Sequence, residues 1–300
     1  MSTALLDAPA EHRPLQSGRR AGLGSVIFAF VLWSCLAIAC TFLLFLLITI
    51  VQEGIGRFDA GLVTAQPSKI RPETAGVESA FFGTLWMMAA TAAMAIPLGI
   101  AAAIYLEEYA DPLRWWNRLI ELNIQNLAAV PSVIYGILAL AFVVRGPVSL
   151  GVVLLAGAVA LALLILPVII ITTREAMRSV PREIRDGSLA LGATQWQTTW
   201  KQVLPAAVPG IATGSILALS RAIGEAAPLL LVGAAAFVTF NPDGVLSRYT
   251  TLPNQIATLV PQPGEAFRDL AYATILLLII VLLAMNAVAI WLRNRFQRSW

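Results

Sequence analysis

The chain has 300 residues, 58% of them hydrophobic and 12% charged, with a mean hydropathy of +0.79 and a formal net charge of +3. A charged fraction well under the soluble norm of about 25% excludes an ordinary water-soluble domain. The small positive excess, spread along the chain without interleaved aromatics, excludes a nucleic-acid-binding patch.

Taken in order, residues 1–22 form a polar tail, predicted to be disordered and to hold the only histidine, His12. One histidine excludes a His-built metal centre within the chain. The first long apolar run, 23–51, is too long for a signal-peptide core and is predicted to be a retained span. Cys35 and Cys40 lie in it five apart, off a common helix face, and read as lipid- or protein-buried thiols rather than redox or metal groups. A polar loop follows at 52–78. The second span, 79–105, is rich in small residues and interrupted by Pro97 and Gly99. Small residues let helix backbones approach closely, so this span is expected to face other helices.

Residues 107–125 place Leu113, Trp116, Ile120 and Ile124 near helical spacing, which predicts an interfacial amphipathic helix. Further spans are predicted at 127–144, 150–172, 205–240 and 270–292. The runs are continuous rather than alternating, which favours helices over barrel strands. The predicted organisation is therefore a tail at 1–22, one six-helix membrane domain at 23–292, and a second tail at 293–300.

Six spans put both termini on one side. The segments on that side hold thirteen Lys and Arg, and those on the other hold six. Basic residues concentrate on cytoplasmic loops, so both termini and the polar interval 174–205 are predicted to be cytoplasmic.

That interval is the longest polar stretch between two apolar segments. Pro181 suits the first turn of a helix. Gly192 permits a turn, and Thr194 with Gln197 has capping-box spacing for a second helix. The prediction is helix, turn, helix, with Ala190, Leu191, Gly192 and Ala193 at an exposed bend and Leu204-Pro205 leading into the fifth span.

The fifth span carries Arg221 and Glu225. An ionised side chain at bilayer depth costs about 2.5 to 3.5 kcal/mol on insertion scales, so it marks a function or an internal partner. At i,i+4 the two face each other. Gly210, Gly214, Ala218, Arg221, Ala222 and Glu225 form one face, expected to line the protein interior. Pro228 is expected to free the carbonyl of Gly224 and break the helix there. Two roles stay open: Arg221 attracts a passing anion with Glu225 tempering its grip, or the pair locks the span to its neighbours.

These motifs resemble the membrane subunits of ABC importers. Their cytoplasmic signature is Glu-Ala-Ala, three residues, Gly, nine residues, Ile-x-Leu-Pro. Here Asp186-Gly187-Ser188 takes the first triplet, Gly192 the Gly, and Leu204-Pro205 the end, with Gln202 in place of Ile. The stretch GATQWQTTWKQVLPAAVPGIATGSILALSRAIGEAAPLL is similar to the phosphate-importer permeases, with resemblance over roughly residues 75–292.

The resemblance implies an all-α type I importer permease in a bacterial inner membrane. It implies a homologous second permease as partner, two ATPase subunits docked on the 174–205 insert, and a phosphate-binding protein on the outer face. Asp186, Ala190, Leu191, Gly192, Ala193, Leu204 and Pro205 would couple to the ATPase. ATP and Mg would be used by that subunit, with no cofactor on this chain. The chain carries no Gly-x-x-x-x-Gly-Lys-[Ser/Thr] loop and no catalytic constellation, in keeping with a transport subunit rather than an enzyme. A sulfate or molybdate permease and an ion-coupled secondary transporter remain as alternatives.

Overall fold

The computed structural model describes residues 23–111, 113–234 and 237–296. The predicted tail at 1–22 and the last four residues lie outside them. The described residues divide into two compact units, with the boundary between Thr49 and Ile50.

The described part of the first unit is most of helix α1 (Leu23–Gly54). The second unit holds α2 (Ala60–Thr64), α3 (Glu78–Ile104), α4 (Trp115–Ala128), α5 (Ser132–Ala139) and α6 (Leu154–Arg178). It continues with α7 (Arg182–Ala190), α8 (Gln195–Thr198), α9 (Leu204–Ile223), α10 (Ala227–Val232), α11 (Leu252–Leu259) and α12 (Glu265–Phe296). Three π turns extend α3 (Tyr105–Tyr109), extend α5 (Leu140–Val144) and join α8 to α9 (Thr199–Val203). Among the described residues five helices are long and apolar enough to cross a membrane, and one bent pair raises the number to six if it counts as one span.

The core of the second unit is built by α3, α6, α9, α10, α11, α12 and the segment before α11, around Met87, Leu161, Ile165, Ile169, Leu229 and Tyr249. Glycine sets the close approaches. A Cβ at Gly99 of α3 would stand 2.6 Å from Ile169 Cγ2 of α6, and one at Gly210 of α9 would stand 2.6 Å from Ala176 Cβ. Gly214 meets the Thr172 side chain in the same way. So α6 is the central helix, with α3 and α9 laid against it through small residues.

The predicted amphipathic helix begins at Trp115 rather than Glu107, because Tyr105–Tyr109 extends α3, and four further segments depart from the sequence-based expectation. The third span is not a straight helix from Leu127. Pro131 disfavours helix at Val130, and α4 and the α5 segment meet there at 106°. The α5 segment, eight residues plus a five-residue π turn, is about 20 Å long and falls short of a bilayer core of about 30 Å.

The fourth span continues to Arg178, so the first residues of the polar insert are the last turns of α6. The fifth span ends at Ile223 rather than Phe240, because Gly224 occupies the C-cap and Pro228 opens a new helix, α10. Finally, α12 starts at Glu265 and runs into the predicted C-terminal tail, with an acid in its first turn and Arg293 and Arg295 in its last, as the helix dipole favours.

Candidate functional site

The insert is built as a helical hairpin. Pro181 precedes α7 with φ −54° and ψ 141°, so its missing N–H costs the helix nothing. The helix ends where Gly192 adopts φ +84°, the left-handed region that glycine enters without a Cβ penalty. The N–H of Gly192 donates to Leu189 O at 2.9 Å and that of Ala193 to Ser188 O at 3.2 Å, which satisfies the last carbonyls of α7.

A capping box then starts α8: Gln197 N–H donates to Thr194 Oγ1 at 3.2 Å, and Thr194 N–H donates to Gln197 Oε1 at 2.9 Å. The Ser188 and Thr198 hydroxyls, 2.9 Å apart, tie the two arms together. At the bend Leu191 is 91% exposed, Ala190 and Gly192 are exposed, and Ala193 is half-buried. Asp186 is exposed on α7, Leu204 is half-buried, and Pro205 is exposed.

Rather than beginning a separate span, Leu204-Pro205 lies inside one continuous helix, Gln195–Ile223. Pro205 lies two residues past the end of the π turn, whose wider i→i+5 bonding loosens the i→i−4 ladder near the ring that lacks an N–H.

Beneath the insert lies an ionic cluster that the sequence reading missed. Glu107 accepts from Arg174 Nε at 3.1 Å and from Arg178 Nε at 2.7 Å. Arg174 also reaches Glu121 of α4 at 3.0 Å. Glu108 accepts from Arg185 Nη2 at 3.0 Å, and Arg185 donates further to the carbonyls of Met177 and Val180 at 2.9 and 2.8 Å. The Gln195 side chain donates to the Glu108 carbonyl. Glu107 and Glu108 meet their guanidinium partners 67 to 77 residues away in sequence, so no local spacing announces them. The one sequence signal is the pair of consecutive carboxylates closing an apolar span.

The second candidate element is the end of α9. Arg221 sits in its last turn and Glu225 in the break that follows. Arg221 Nε and Glu225 Oε1 are 3.6 Å apart, within ion-pair range yet longer than a hydrogen bond. Arg221 keeps 48% of its side chain exposed and Glu225 keeps 20%. Gly214, Ala218 and Ala222 are buried, whereas Gly210 and Arg221 are exposed, so the small residues pack the helix and the guanidinium emerges beside them. Pro228 is buried at the start of α10 and abuts Gly136 of α5. The helix thus stops before Pro228 instead of bending through it, and the non-helical backbone is that of residues 224–226. Neighbouring Ser220 hydrogen-bonds to Asn286 of α12, 2.5 Å away, which fixes this end of α9.

Residues 95–300 match the family described as "Binding-protein-dependent transport system inner membrane component". The chain belongs to this family. Like its members, it is a permease: the membrane component of an ABC transport system that works with an ATPase and a binding protein. The permease is 33% identical over 302 residues to "Phosphate transport system permease protein PstA 1" of Mycobacterium tuberculosis, covering 98% of this chain and 95% of that one. It is 28% identical to "Probable phosphate transport system permease protein PstA" of Methanocaldococcus jannaschii, covering 93% and 95%.

Among solved structures, it resembles a bacterial ABC transporter involved in the import of the acidic polysaccharide alginate. The TM-score is 0.62 at 17% identity, over 92% of this chain and 99% of that one. A MetNI methionine ABC transporter chain matches with a TM-score of 0.58 at 19% identity, over 72% and 94%. These structures establish that the permease has the ABC importer fold.

Proposed function

We propose that this permease forms half of the translocation path of an ATP-driven importer of inorganic phosphate. The observation that carries the solute is Arg221, the one Lys or Arg that the charge assignment leaves inside the membrane. It stands at a helix break, half exposed, and its carboxylate partner is not in hydrogen-bond contact. Exposure at that position offers a positive site to an anion, and the irregular backbone at 224–226 is tolerated at depth where it lines a path. Glu225 keeps the site from holding the anion too tightly, since conduction needs release as well as entry. The relatives named for phosphate transport support the same solute.

In this reading the second half of the path is a homologous PstC-type permease. Two PstB-type ATPase subunits dock on the α7–α8 hairpin, and a PstS-type binding protein delivers phosphate from outside. Asp186, Ala190, Leu191, Gly192 and Ala193 form the docking tip. Leu204 and Pro205 carry its movement into α9, and so toward Arg221 and Glu225; Gly224 and Pro228 mark the break.

The test is uptake by the complete transporter in proteoliposomes, with labelled phosphate, sulfate and molybdate offered separately. ATP-dependent accumulation of phosphate alone is expected. Accumulation of sulfate or molybdate without phosphate would replace the solute and keep the transporter.

A further inference from the structure

We infer that Glu107 and Glu108 are positioning residues that fasten the insert hairpin to the cytoplasmic end of α3, so that displacement of the insert moves α3 and α9 together. The inference rests on the transporter reading only in taking the hairpin as the ATPase dock.

Covalent connectivity joins the hairpin to α6, through Ser179–Pro181, and to α9, through the π turn. It gives α3 no link at all. That link is made by side chains. Tyr105–Tyr109 is a π turn, closed by Ala110 N–H donating to Tyr105 O at 2.8 Å, and it sets two consecutive carboxylates against different elements. Glu107 takes Arg174 and Arg178 of α6. Glu108 takes Arg185 of α7, while its backbone carbonyl takes Gln195 at the start of α8. Both arms of the hairpin are therefore held to one residue, Glu108.

The fastening is firm. Glu108 and Arg185 expose 9% and 20% of their side chains. Unpairing a mostly desolvated ion pair strands a charge, whereas an exposed pair contributes little. Arg185 fits a joint better than a surface ornament, because its guanidinium also caps the Met177 and Val180 carbonyls where α6 ends. Polar clefts of about 500 and 590 Å³ adjoin the cluster, the first lined in part by Arg118 and Glu121, the second by Arg182 and Asp186. The joint is thus bordered by open polar space, and α3 has room there to follow the hairpin.

The test uses the complete transporter, with its ATPase and binding protein, carrying Glu108→Gln. Subunits are expected to co-purify, with ATP hydrolysis in the absence of binding protein near the wild-type rate. Solute moved per ATP, and the stimulation of hydrolysis by binding protein, are expected to fall about fivefold, within the range of coupling changes along such networks. Glu108→Asp should recover part of both.

A second variant, Glu108→Cys with Arg185→Cys on a Cys35→Ala/Cys40→Ala background, should be poorly coupled until a short bifunctional thiol reagent joins the pair, and better coupled after. Unchanged coupling in Glu108→Gln would overturn the inference. So would failure of the complex to assemble, which would make the pair a structural lock. Stimulation by binding protein is scored whatever solute is carried, so a wild-type complex that moves no phosphate would count against the proposed solute and leave this inference standing.

Discussion

Gly136 of α5 lies directly on Pro228 of α10: a Cβ at Gly136 would stand 2.7 Å from Pro228 Cα and 2.9 Å from its carbonyl oxygen. This contact holds the segment that follows the Arg221–Glu225 break. Gly136→Ala must push α10 outward, at an overpacking cost of about 1–3 kcal/mol. A lowered melting temperature of the purified complex and reduced uptake are expected together. Thermal unfolding monitored in detergent, run beside the uptake assay, checks both.

Arg221→Ala should abolish uptake while the complex still assembles, and Arg221→Lys should retain part of it by keeping the charge. Co-purification of the subunits and labelled phosphate uptake separate the two roles open to the pair. Loss of assembly in Arg221→Ala would mark it as a helix lock instead of a path residue.

Gly192 is required by its backbone and not by crowding, since φ is +84° and a Cβ there would meet nothing within 4 Å among the described residues. Gly192→Ala should therefore cost only about 1 kcal/mol of local hairpin stability. Gly192→Glu adds bulk and charge at the proposed docking tip, and is expected to release the ATPase or uncouple hydrolysis from uptake. Retention of ATPase on an affinity-tagged permease distinguishes the two substitutions; normal docking and uptake in Gly192→Glu would remove the tip from the interface.

Thr194→Ala removes half of the capping box that starts α8, a loss of about 1 kcal/mol. Faster hydrogen exchange at the amides of Gln195 to Gln197 is expected, with little change in α3 or α6. Exchange measured by mass spectrometry on the solubilised complex reads this directly.

Local patterns in the sequence located some elements and could not reveal others. Long apolar runs betray α1, α3, α6 and α12 because bilayer burial demands many consecutive apolar residues. The hairpin is legible because Pro181, Gly192, Thr194 and Gln197 act on their immediate neighbours. The end of α9 is not legible from hydropathy: residues 222–232 are nearly all apolar, and only Gly224 and Pro228 hint that the helix stops. Pro131 was visible, yet its 106° consequence depends on how α4 packs against α6. The Glu107, Glu108, Arg174 and Arg185 contacts join residues far apart in sequence, and nothing local selects which carboxylate meets which guanidinium.

The unbroken helix from Gln195 to Ile223 makes the permease a lever. From Gln195 to Arg221 it measures about 39 Å, so a tilt of about 5° around its midpoint carries each end through about 2 Å in opposite directions. The gap between Arg221 and Glu225 is 3.6 Å. If Arg221 receives the solute as proposed, a swing that small at the hairpin is comparable to the distance deciding whether the guanidinium is shared with its own carboxylate or offered to a solute. Binding strength in the path would then be set by an angle, with no residue having to change its partner by more than a bond length or two.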